Sequence, residues 1–167
     1  MQLFIFGDSI TLGMWDEKGG WAERLKQKSI QQSIDSHFEI DTEVYTLGVS
    51  GDTSRDLLYR FESEIWQRKD ETESIISIAI GTNDTLYYPL EKRNEISISD
   101  FEKNIKKLHT KALSFTRKML FVGLTPVNEN LVNPIPWRPE NSYRNEDSEK
   151  YNGILRDFCS KNNVPFV

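Results

Sequence analysis

Three short polar clusters, Gly7-Asp8-Ser9-Ile10-Thr11, Ser50-Gly51-Asp52-Thr53 and Gly81-Thr82-Asn83-Asp84, each stand directly behind an apolar run. Between them they offer a hydroxyl, a glycine amide and a carboxamide. Acyl transfer through a serine needs a nucleophile, a base to take its proton and donors aimed at the developing oxyanion. Ser9, behind a Gly-Asp turn, suits the first role, and its own amide can face an oxyanion. Gly51 can bring a second amide close to a ligand because no side chain stands in the way. Asn83 can add a third, neutral donor from its side chain. The same clusters carry Asp8, Asp52 and Asp84, and three carboxylates at adjacent loops could instead bind Mg²⁺ in a phosphatase or phospho-acceptor domain. A binding module without catalysis is the remaining alternative. Gly48-Val49-Ser50-Gly51-Asp52 misses the G-x-S-x-G elbow at its last position, which makes Ser50 a turn residue.

These loops converge only if the runs before them are parallel strands, whose carboxyl ends form the ligand crevice of an open α/β sheet. Gln2 to Phe6 is one run. Phe38 to Leu47 alternates as a second strand, and Ile75 to Ile80 reads as a central strand covered on both faces. Met119 to Leu124 is a fourth, and Val164 to Val167 begins a fifth. Helices are expected between them: one from about Gly20 to Ser33, and one opened by a Thr53/Asp56 capping box with Leu57, Leu58, Phe61 and Ile65 on one face. A third follows a Ser99/Glu102 capping box, with Phe101, Ile105, Leu108, Ala112 and Phe115 inward. A last helix carries Tyr151, Ile154, Leu155 and Phe158. Two connections, Thr85 to Ile98 and Thr125 to about Ser142, exceed the usual length and are expected at the carboxyl edge. Their Tyr87, Tyr88 and Trp137, with Trp15, either line an acyl pocket or stand exposed by chance.

A chain of 167 residues with 37% apolar content makes one domain with a real core. A net charge of −5 without basic clusters argues against nucleic acid and anionic membrane surfaces. No apolar stretch approaches the roughly 20 residues needed to span a bilayer. The first strand begins at Met1 or Gln2, leaving no room for a leader, so the cytoplasm is the expected compartment. The lone Cys159 reads as a buried structural thiol. Nothing implies a cofactor or metal, and oligomeric state leaves no mark.

The three clusters, in this order and spacing, resemble the first three blocks of the SGNH, or GDSL-type, ester hydrolases. Gly20-Trp21 and Gly123-Leu124-Thr125-Pro126-Val127 are similar to the bacterial esterase branch. The resemblance covers most of the chain. It implies a flavodoxin-like doubly wound parallel sheet of about five strands in order 2-1-3-4-5, within a three-layer α/β/α domain. It also implies Ser9 as nucleophile, an oxyanion hole of Ser9, Gly51 and Asn83, and a small carboxylic ester as substrate. The family's catalytic Asp and His come in an Asp-x-x-His block after the fifth strand. Neither His37, before the second strand, nor His109, deep in a helix, replaces it. Residues 1–167 are therefore expected to be a single domain truncated at its carboxyl end.

Overall fold

The computed structural model describes residues 1–167. Strand β1 (Gln2–Gly7) pairs in parallel with β2 (Glu43–Gly48) on one side and β3 (Ser74–Ala79) on the other, and β3 pairs with β6 (Met119–Phe121), giving the order β2-β1-β3-β6. A two-residue ribbon, β4 (Tyr87–Tyr88) with β5 (Arg93–Asn94), stands apart from the main sheet. The expected fifth strand is reduced to one parallel bridge, Phe121 to Phe166. Phe121 N–H donates to Pro165 and Gly123 N–H to Val167 at the outer edge of β6.

Side-chain alternation sorts the core. Phe4, Phe6, Ile76, Ile78, Met119 and Phe121 point to one face, where α3 (Ser54–Trp66), α4 (Ile98–Leu113) and α6 (Asn145–Asn162) bury them. On the other face α2 (Gly20–Asp35) covers Ile5 and Val44 through Ala22 and Trp21. Over β3 and β6 that second face is only half-buried, at Ile75, Ala79, Leu120 and Val122, so the expected full cover of the central strand is found on one side alone. A cleft of about 300 Å³ lies there, bounded by Trp21, Ala79, Val122 and Leu124. Cys159 is buried in the main core, where burial lifts its thiol to about 11, as a structural cysteine requires.

Several boundaries differ from expectation for local reasons. The second strand starts at Glu43, not Phe38, because α2 runs on to Asp35 and a tight turn follows, with Phe38 N–H donating to Ser33 and positive φ at His37 and Phe38. Helix α4 is capped by Ser97 with Asp100, not by Ser99 with Glu102. The choice follows the apolar neighbours. A Ser97 cap places buried Ile96 just before it and buried Phe101 at the fourth helical position, a hydrophobic staple that a Ser99 cap would lose. The Thr53/Asp56 box on α3 forms as expected.

Both long connections carry structure. A 3₁₀ turn (Asn83–Thr85) leads into the first, which holds the ribbon, and the second holds the short helix α5 (Glu129–Val132). Tyr87 and Ser142 exchange backbone hydrogen bonds of 2.9 and 3.1 Å, which ties the two connections together above the sheet.

Candidate active site

Register brings the three clusters level. Gly7 is the Cα partner of Gly48 in β2 and of Ala79 in β3, so Ser9, Gly51 and Asn83 all lie within a few residues of one carboxyl edge. Ser9 opens a single helical turn, α1 (Ser9–Leu12), capped by the Asp8 carboxylate, which accepts from the Ile10 amide at 2.9 Å. That turn packs directly on β2. A Cβ at Gly48 would stand 2.4 Å from the Leu12 nitrogen, so only glycine permits the approach.

The second cluster is a turn from Val49 to Asp52, closed by Asp52 N–H donating to Val49 at 3.2 Å. Gly51 has φ +86, as the third residue of a type II turn demands. Its N–H belongs to the central peptide, which the turn's own hydrogen bond leaves unused, and a Cβ there would meet nothing within 4 Å. Ser50 points elsewhere: its hydroxyl donates to Met14 Sδ at 3.2 Å, in keeping with a turn role.

Asn83 is held at both ends. Its Nδ2 donates to the Asp52 carbonyl at 2.9 Å, and its Oδ1 accepts from the Tyr143 hydroxyl at 3.0 Å. A carbonyl can only accept and the amide nitrogen can only donate, so this pairing sets which way the amide faces and leaves one N–H free. Burial, with the nearby Asp8 charge, pushes the Tyr143 phenol up to about 12, so it remains a donor across the usual pH range. Sequence reading missed Tyr143. It lies just past the expected end of the second long connection and belongs to no motif.

Arg60, on α3, gathers the clusters from below. Its Nε donates to Asp52 Oδ2 at 2.7 Å and its Nη2 to the Gly7 carbonyl at 3.1 Å, with the guanidinium 5.8 Å from the centre of the Phe6 ring. Arg60→Ala is expected to cost about 2–4 kcal/mol, because it strands the mostly buried Asp52 carboxylate and leaves the Gly7 carbonyl only its bond from the Val49 amide. Urea unfolding checks this. Adding Asp52→Asn should cost less in the Arg60→Ala background than alone, and strict additivity would show the pair to be idle.

The other carboxylates are engaged separately. Asp84 is fully buried and accepts from both the amide and the hydroxyl of Ser54, whose hydroxyl also accepts from Asn104 Nδ2. Burial lifts Asp84 to about 7 and Asp8 to about 6. No group of three His, Cys, Asp or Glu side chains converges into a metal-binding set, so Asp8, Asp52 and Asp84 do not form the cluster that a Mg²⁺ reading requires. The folded state keeps a proton on Asp84 that the unfolded chain releases near pH 3.8, so this group's contribution to stability falls as pH rises from about 4 to about 7. Asp84→Asn should therefore gain on the wild type across that window in a pH series of melting curves. A difference that does not change with pH would refute the shift.

The histidines stand away from the site. His37 is exposed in the turn before β2, at the opposite edge of the sheet. His109 is the twelfth residue of α4, roughly 16 Å along the helix from its start at the carboxyl edge, and rests edge-on against Phe158 with burial lowering its pKa. The four aromatics do not share a pocket. The Arg144 guanidinium lies 3.4 Å from the centre of the Tyr87 ring and that of Arg93 4.3 Å from Tyr88, whereas Trp15 and Trp137 stand exposed.

The sequence model of the GDSL-like lipase/acylhydrolase family matches residues 3–167. This chain belongs to that family. No curated protein is matched. Among solved structures, a lipase/acylhydrolase from Enterococcus faecalis superposes with a TM-score of 0.71 at 21% identity, covering 99% of this chain and 74% of its own. A variant of an acetyl xylan esterase from Geobacillus stearothermophilus gives 0.68 at 21%, over 99% and 75%. TesA gives 0.68 at 20%, over 99% and 77%. At such identities these likenesses show the shared α/β fold. Membership of the family makes this GDSL-like protein a carboxylic ester hydrolase, and none of its helices is long and apolar enough to cross a membrane.

Proposed function

We propose that Ser9 is the nucleophile and that Ser9, Gly51 and Asn83 form the oxyanion hole of an acyl-transfer reaction on a small carboxylic ester. The observation that carries this reading is Asn83: an amide held by Asp52 and Tyr143, with one N–H left free at the carboxyl edge. Ser9 Oγ attacks the ester carbonyl while its proton passes to a base. The carbonyl oxygen, now negative, accepts from the Ser9 and Gly51 amides and from Asn83 Nδ2. Collapse expels the alcohol, which takes the proton back from the base, and water then releases the acid from the acyl-serine. Donors already in place cost no reorganisation as the charge develops.

Tyr143 positions the amide. By donating to Oδ1 it also polarises the opposite N–H, as linked hydrogen bonds do. Tyr143→Phe is expected to lower kcat on the order of tenfold with KM nearly unchanged, less than the loss of a direct oxyanion donor. A KM effect alone would assign Tyr143 to substrate binding.

The base is not among the described histidines, and a segment bearing Asp-x-x-His is the source the family pattern implies. In a form that also supplies the base, a fluorophosphonate probe tests the nucleophile: peptide mass should place the label on Ser9, and labelling elsewhere overturns the assignment. Hydrolysis should persist in EDTA. A lone buried thiol and a net charge of −5 suit a cytoplasmic enzyme of small esters that does not engage nucleic acid.

A further inference from the structure

We infer that Trp15 and Trp137 form a stacking platform for a neutral sugar ring, which makes the alcohol side of the ester a carbohydrate. The ester half of this rests on Ser9 as nucleophile; the binding half does not.

Both tryptophans belong to segments that build the site. Trp15 follows Met14, whose amide donates to the Ser9 carbonyl at 2.9 Å, and Trp137 lies on the connection that delivers Tyr143 to Asn83. The rings meet edge to face, 5.7 Å between centres at 80°, although one follows α1 and the other follows α5. Trp15 is 80% exposed and Trp137 69%, so broad ring faces stand open to solvent.

Each ring rises from a fixed stretch of backbone. Trp15 has φ +64, a left-handed conformation that a bulky residue adopts only when its surroundings impose it. Asp16 supplies that constraint, accepting from the Lys18 amide at 2.8 Å and from Arg24 at 2.9 Å. Trp137 is the third residue of a turn from Ile135 to Arg138, closed by a 3.0 Å backbone hydrogen bond with Pro136 in its favoured second place. Buried Ile135 and Asn141 anchor that turn.

The chemistry around the rings selects the ligand. An acyl chain gains most from an enclosed apolar groove, and these faces enclose nothing. Their neighbours in the chain are charged instead: Asp16, Glu17 and Lys18 follow Trp15, while Arg138 and Glu140 follow Trp137. A pyranose with equatorial hydroxyls matches such a surface, with C–H bonds on its faces for the indoles and hydroxyls at its rim for the charged side chains.

The test is binding, measured by calorimetry and affinity electrophoresis on the chain as it stands, with β-1,4-linked xylose and glucose oligomers and with lysophosphatidylcholine. Millimolar or tighter sugar binding is expected, weakened on the order of tenfold by Trp15→Ala and by Trp137→Ala, the loss of one aromatic stacking contact. Trp15→Phe and Trp137→Tyr should keep part of it. Trp66→Ala is the control, since Trp66 is 72% exposed but lies at the far end of α3 against Phe115. Ser9→Ala should bind sugar undiminished, so a failure of the nucleophile assignment leaves this result standing. Absence of sugar binding, binding indifferent to both platform tryptophans, or tryptophan-dependent binding of lysophosphatidylcholine in place of sugar would overturn the inference.

Discussion

Ser9→Ala is expected to reduce turnover of p-nitrophenyl acetate by on the order of 10⁴-fold or more, because members of a catalytic unit fail together when the nucleophile is lost. Stability should not fall, since Ser9 opens a helical turn and alanine is the better helix former. The measurement needs a form that also supplies the base. General-base assistance contributes roughly 10²- to 10⁴-fold, and both histidines stand away from the site, so residues 1–167 alone should hydrolyse activated esters near background. Joining a segment with Asp-x-x-His after Val167 should raise the rate, and Ser9→Ala should cancel the gain. Turnover of residues 1–167 at rates normal for an esterase would defeat this account, because a base would then have to come from His37, His109 or another chain.

Asn83→Ala is expected to lower kcat by about 10²- to 10³-fold, the usual effect of losing one oxyanion donor. KM should change little, because the donor acts on charge that develops only in the transition state. The substitution also removes the hydrogen bond to the Asp52 carbonyl, so unfolding must be measured alongside. Two results separate the roles. A large fall in kcat with a small loss of stability supports the oxyanion hole, whereas a rate that falls only as far as the folded fraction does marks Asn83 as a structural tie. Combined with Tyr143→Phe the losses should not add, since the phenol acts through the amide that Asn83→Ala deletes.

The strands and the three loops behind them were legible because each depends on local signals, whereas the strand order came only from the family resemblance. Apolar runs that stop at Gly-Asp-Ser, Ser-Gly-Asp and Gly-Thr-Asn-Asp mark strand ends, and parallel pairing then forces those ends to one edge. The Thr53/Asp56 cap was equally visible, since a cap is made within four residues. The α4 cap was displaced by two residues because Ser97 and Ser99 offer competing local patterns, and the packing of Ile96 with Phe101 decided between them. Arg60 looked like any helical arginine; only the fold brings Gly7, 53 positions earlier in the chain, to its guanidinium. Tyr143 and Asn83 are 60 residues apart and meet through the pairing of two long connections at Tyr87 and Ser142. By itself, then, the sequence determined the fold class and which residue types stand at the carboxyl edge, because periodicity and turn chemistry are short-range. Which side chains orient Asn83, where the carboxylates go and how Trp15 meets Trp137 were decided by tertiary structure alone, since those contacts join segments whose proximity no local pattern records.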